Sequence, residues 1–131
     1  MNWKNITIIV SAGYGWMFFV SYFIAPSFYE LGFIIVTINA IATCFIGSII
    51  AGRLSTADAW KNGLYVGIFL FTVVSIFSFL LIILGLVDLS VFELYGLYNL
   101  TDVIGETIIS LMIYATTGTI GGFIGGKIRR E

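Results

Sequence analysis

Residues 118–131 read GTIGGFIGGKIRRE, five glycines within nine residues followed at once by a basic cluster. In water such a stretch is a flexible tail or a broken phosphate loop. In lipid it is a helix end stripped for close packing. Composition decides between them. Of 131 residues, 60% are hydrophobic and only 10% are charged, with a mean hydropathy of +1.08. A soluble domain carries roughly 25% charged residues, so this chain lacks the polar groups to cover a soluble surface. It reads as an all-α integral membrane protein, and the closing glycines are membrane glycines.

Crossing about 30 Å of hydrocarbon takes about 20 apolar residues in a helix. Four stretches meet that length, approximately 6–25, 31–52, 64–87 and 104–126, and they form one membrane domain over 1–131. The expected fold is a four-transmembrane-helix bundle made of two helical hairpins in parallel orientation. Pro26 ends the first span, because proline has no N–H to continue the ladder. Ala25-Pro26-Ser27 loosely resembles a signal-peptidase site. The apolar run before it exceeds the roughly 7–15 residues of a signal core, so the span is expected to be retained. Trp3, Tyr22, Phe28, Tyr29, Trp60, Tyr65, Tyr95 and Tyr98 crowd the span ends, where amphipathic rings suit the headgroup boundary.

Charge sets the orientation. Lys4, Arg53, Lys61, Lys127, Arg129 and Arg130 fall at the N-terminus, the middle loop or the C-terminus, and the two remaining loops hold no basic residue. Lysine and arginine stay on the cytoplasmic side. The expected location is therefore the cell membrane, multi-pass, with both termini cytoplasmic, and so complete an asymmetry argues against an inverted homodimer. Between spans three and four, VDLSVFELYGLYNLTDVIGE (87–106) is too apolar for a solvated loop and too polar for a span. A short interfacial helix fits it. The sequon Asn99-Leu100-Thr101 within it is a three-residue match of little weight.

Gly118, Gly122 and Gly126 recur every fourth residue, and Gly121 and Gly125 form a second row beside them. On a helix these rows make a flat strip without side chains. Lipid offers no hydrophobic drive between helices, so association relies on close backbone approach and dispersion. FIGSIIAGRLS (45–55) repeats the phrase of TIGGFIGGKIRR (119–130) as I-G-[SG]-x-I-[AG]-G-[RK]-[IL]. That repetition suggests two related hairpins, or convergence on a tight-packing helix end. Ser11 with Gly15, and Gly63 with Gly67, add further small-residue rows.

GSIIAGRLSTADAWKNGLYVG (47–67) resembles the centre of small four-span prokaryotic membrane proteins of unknown function. Those families show G-x-x-x-A-G at the end of span two, a short polar loop, and G-x-x-x-G opening span three. The matching positions are Gly47, Ala51, Gly52, Gly63 and Gly67, with Gly122 and Gly126 repeating the theme. The resemblance implies a fold and carries no chemistry.

Chemistry-bearing residues are few. With no histidine and a single cysteine, Cys44, disulfide frameworks, thiolate zinc sites, histidine metal sites and histidine triads are all excluded. Cys44 reads as a small packing residue. Glu106 lies about one turn inside span four, with Asp102 and Ser110 on the same face. Either it marks the helix start, where negative charge suits the dipole, or the stripe lines a cation or proton path. Asn39 lies near the middle of span two, with Thr43 one turn on. It serves either an interhelical hydrogen bond or a substrate contact. Ser55 or Thr56 is expected to cap a helix beginning at Ala57.

No catalytic, cofactor or metal site follows from these residues, and no nucleic-acid partner follows from a net charge of -1. The expected role is an accessory or scaffolding subunit acting through glycine-mediated helix packing, partnered by the bilayer and by itself or another membrane protein. The alternative is a homo-oligomeric channel, small transporter or holin-like pore with Asn39 and Glu106 along the path.

Overall fold

The computed structural model describes residues 3–24, 27, 31–55, 58–84 and 100–130. They form four long helices and no strand. α1 spans Trp3–Phe19 and continues as a π-helical segment, Val20–Ile24. α2 spans Gly32–Leu54, α3 Ala59–Ile83 and α4 Leu100–Arg130. Each contains a segment long and apolar enough to cross a membrane: Trp3–Ile24, Ile34–Leu54, Ala59–Leu80 and Thr101–Ile128. The interfacial helix expected between spans three and four lies outside the described residues, except for residues 100–106, which belong to α4. The turn at Pro26 also lies outside them.

The helices outrun the apolar stretches. Hydropathy marks the part of a helix that sits in lipid, whereas helicity continues into flanking polar turns. α3 therefore starts at Ala59, and Trp60, Lys61 and Asn62 belong to its first turn. The carbonyl of Asp58 accepts from the Lys61 and Asn62 amides at 3.0 and 3.4 Å. Ser55 does not head this helix. Its hydroxyl donates back to the Gly52 carbonyl at 2.7 Å, so it closes α2 instead.

The contacts between helices fix their directions. Trp3 packs on Tyr65 and Phe69, so α1 and α3 begin at the same end and run parallel. Gly126 at the end of α4 faces Ala59 at the start of α3, and Gly125 faces Ile49 and Arg53 at the end of α2. α4 is thus antiparallel to α3 and parallel to α2. α2 and α3 touch, α4 packs against both, and α1 packs against both without touching α4. The two outer helices therefore occupy opposite grooves of a central α2–α3 pair. Lys4, Arg53, Lys61 and Lys127 all fall at one end of this assembly.

Side-chain size is distributed as lipid dictates. Cys44, Ser48, Val66 and Leu70 are fully enclosed, joined by Ala51 and by Ile6, Val10 and Met17 of α1. Isoleucine, phenylalanine and leucine face outward, among them Phe23, Ile38, Ile46, Phe79 and Ile108. Large apolar groups gain nothing by leaving hydrocarbon, so the interior goes to residues that let backbones approach.

Candidate functional site

The two glycine rows of α4 face two different helices. Gly118, Gly122 and Gly126 turn to α3, and Gly121 and Gly125 turn to α2; all five are buried. A Cβ placed on Gly122 would stand 2.5 Å from the Ala59 carbonyl oxygen and 2.8 Å from Gly63 Cα. One on Gly63 would stand 2.5 Å from Gly122 Cα, and one on Gly118 would stand 3.2 Å from Gly67 Cα. On the α2 side, a Cβ on Gly121 would meet Ser48 Cβ at 2.7 Å and the Phe45 carbonyl oxygen at 2.9 Å. Backbone therefore touches backbone along both seams, and a methyl group has no room.

The repeated phrases of α2 and α4 lie side by side. Gly52 faces Gly122, and Gly121 and Gly125 face residues 45–53. The phrases are not used alike. Gly47, which aligns with Gly121, faces α1 and α3, where a Cβ would lie 3.0 Å from Ile9 Cγ2 and 3.5 Å from Val66 Cγ1. Ala51 is enclosed beside it. In α1, Gly13 takes the close position, 3.1 Å from Thr43 Cγ2 to a built Cβ, whereas Gly15 has no such neighbour within 4 Å. Gly13 was not legible as a contact because it forms no spaced row with another glycine.

Polar groups inside the bundle are matched within it. Ser48 donates to the Gly63 carbonyl at 3.3 Å, linking α2 to α3. Cys44 donates to the Tyr114 carbonyl through sulfur at 3.5 Å, linking α2 to α4. Thr72, Thr107 and Thr119 each bond the carbonyl four residues before them at 2.8 Å. Among the described residues, every buried side-chain nitrogen and oxygen has a partner. Ser48 was missed as a connector because a serine after a glycine reads simply as one more small residue.

Asn39 accepts a hydrogen bond from the Trp16 indole at 2.7 Å, tying α2 to α1. Trp16 lies twelve residues after Lys4, about 18 Å along its helix, and Asn39 lies fourteen before Arg53, about 21 Å. The pair thus sits in the half of the bundle away from the basic end, at the edge of the α1–α2 seam. Thr43 lies in that same seam, against Gly13. Glu106 is exposed on α4 and accepts from Ser110 at 3.4 Å, one turn along. It stands twenty-one residues from Lys127, about 30 Å, which is one hydrocarbon thickness. Glu106 therefore lies at the far boundary when Lys127 lies at the near one, and Asp102 lies a turn beyond it. Asn39 and Thr43 are thus directed to α1, whereas Glu106 is exposed on α4 and bonds within its own helix. Among the described residues, no cluster of acidic or cysteine side chains is arranged to hold a metal ion.

Compared with known proteins, the chain matches no family model, no curated protein and no solved structure.

Proposed function

We propose that this protein is an accessory or scaffolding membrane subunit whose working property is a rigid, glycine-packed helix bundle. The observation that carries this reading is the position of α4. Its two glycine rows contact α2 and α3 of the same chain at backbone distance, and the interior polar groups serve as links between helices. A framework of this kind presents a fixed outer surface to a neighbour. α1 is the helix for that task, being packed, among the described residues, against α2 and α3 and not α4, and carrying Ser11 and Gly15 on its exposed face. In this reading the basic end is cytoplasmic, both hairpins enter from that side, and the chain belongs with the small four-span prokaryotic proteins it resembles. It has no catalytic role.

A homo-oligomeric pore is the second reading. One observation favours it: Glu106 and Thr107 face outward on α4, where a second copy would meet them. Flux and assembly separate the two. In a scaffold, Gly122→Leu breaks assembly, while Asn39→Leu and Glu106→Gln leave partner capture intact. In a pore, the two polar changes abolish ion flux in liposomes and leave assembly intact. Native mass spectrometry of gently extracted protein gives the companion result. A co-purifying larger membrane protein supports the scaffold, and a homo-oligomer of fixed number with flux overturns it.

A further inference from the structure

We propose that Asn39, Trp16, Phe19 and Phe23 form a binding site at the lipid-facing edge of the α1–α2 seam for a membrane-soluble planar carbonyl compound of the quinone class. The hydrogen bond between Trp16 and Asn39 fixes the chemistry on offer. An indole N–H can only donate, so the 2.7 Å contact identifies the amide atom beside it as the oxygen. The other end of the amide is a nitrogen with two N–H donors. Among the described residues, nothing accepts from it. Asn39 is half-buried, and every buried side-chain nitrogen among the described residues has a partner. The unpaired nitrogen therefore lies on the surface of the seam, where lipid meets it.

Depth limits what can accept from that donor. Asn39 lies fourteen residues before Arg53, about 21 Å along α2 and about 9 Å short of the far face of a 30 Å hydrocarbon layer. Water does not satisfy polar groups at that depth, and leaving one unpaired is costly. The ester carbonyls of phospholipids stay at the boundary with the headgroups. A carbonyl compound that dissolves in the hydrocarbon itself can meet the donor where it stands.

The rings beside the amide select the shape of that compound. Trp16, Phe19 and Phe23 follow one another along the exposed side of α1. Their ring centres are 5.9 and 5.3 Å apart, with planes inclined by 28° and 26°. The bond to Asn39 holds the first ring in place. α1 changes to π winding at Val20, directly after Phe19, and π-helical turns are rare and recur at functional sites. A flexible acyl chain gains little from such a row over bulk lipid, whereas a planar unsaturated ring gains stacking contacts. A quinone joins the ring and the carbonyl acceptor in one lipid-soluble molecule. The inference rests on α1 and α2 alone and does not depend on the scaffold reading.

The test follows Trp16 fluorescence in micelles of the full chain carrying Trp3→Phe and Trp60→Phe, titrated with decylubiquinone at fixed detergent concentration. Quenching should saturate. Asn39→Leu should raise the half-saturation concentration about tenfold, the worth of one hydrogen bond in hydrocarbon. Phe19→Leu should raise it about threefold through lost stacking. Thr72→Val, exposed on α3 with its hydroxyl bonded within its own helix, should change it by less than about twofold. The same ring with its carbonyls replaced by methoxy groups should bind about tenfold more weakly. Circular dichroism identifies a variant that has not folded, and the methoxy probe carries the comparison without any substitution at the site. Quenching that rises without saturating, equal affinity for the two probes, or unchanged affinity in a folded Asn39→Leu protein would overturn the site. Displacement of the quinone by added phosphatidylcholine would give the amide to an ester carbonyl and overturn the quinone assignment. A dimer in native mass spectrometry that Asn39→Leu dissociates would give it to a second copy, with the same consequence.

Discussion

Replacing Gly122 with alanine adds one methyl group to the α3–α4 seam. Its Cβ would lie 2.5 Å from the Ala59 carbonyl oxygen, 2.8 Å from Gly63 Cα and 2.9 Å from Gly63 N. Non-bonded carbons settle at about 3.5–4.0 Å, so the helices must part by about 1 Å. All three neighbours are backbone atoms, so no change of rotamer relieves the clash. A gap of that size forfeits a quarter to a half of each dispersion contact beside it. Overpacking of this kind costs about 1–3 kcal/mol. Alanine also favours a helix over glycine by about 1 kcal/mol, which works in the opposite direction. Gly15→Ala provides the reference, because a Cβ there has no neighbour within 4 Å and only the propensity gain acts. The difference between the two variants cancels propensity and isolates the seam, at about 1–3 kcal/mol. Unfolding in mixed micelles by sodium dodecyl sulfate, followed by circular dichroism, measures it. A Gly122→Ala protein as stable as Gly15→Ala would refute the reasoning.

The Trp16–Asn39 bond should give a coupling of about 0.6–1.7 kcal/mol in a double-mutant cycle of Trp16→Phe and Asn39→Leu; strictly additive effects would remove it. Cys44, with no exposed surface, should resist a maleimide in the native micelle and react once the bundle is unfolded. Labelling of the native protein at the unfolded rate would contradict its enclosure. Glu106→Gln should change stability by less than about 0.5 kcal/mol, as expected for an exposed position. A larger loss on unfolding would place Glu106 in a contact that the structure does not contain.

Hydropathy and the basic residues made the four helices and their common basic end legible. The spacing of Gly118, Gly122 and Gly126 against Gly121 and Gly125 revealed two rows on α4, but not which helix each row meets. Glycine has no side chain whose chemistry could name its neighbour. Periodicity gave no help, since lipid-facing and interior positions of these helices are both apolar. Val66 and Leu70 therefore look no different from Ile76 or Leu80 in sequence, although the first two are enclosed and the latter two face outward. The surroundings of Asn39 and Glu106 were not legible either: Asn39 accepts from the Trp16 indole on α1, and Glu106 is exposed on α4, and the sequence alone names neither neighbour.

The most direct measurement is disulfide trapping with Ala59→Cys and Gly126→Cys in a Cys44→Ser background, oxidised in native membranes. A Cβ on Gly126 falls 2.5 Å from Ala59 Cβ, so a shift of about 1 Å reaches disulfide geometry. Packing of α4 against α3 of its own chain predicts a fast-forming bond within the monomer, visible as a reducible mobility shift on denaturing gels. Disulfide-linked dimers without the intramolecular product would show that the glycine faces join separate chains, and would contradict the bundle described above.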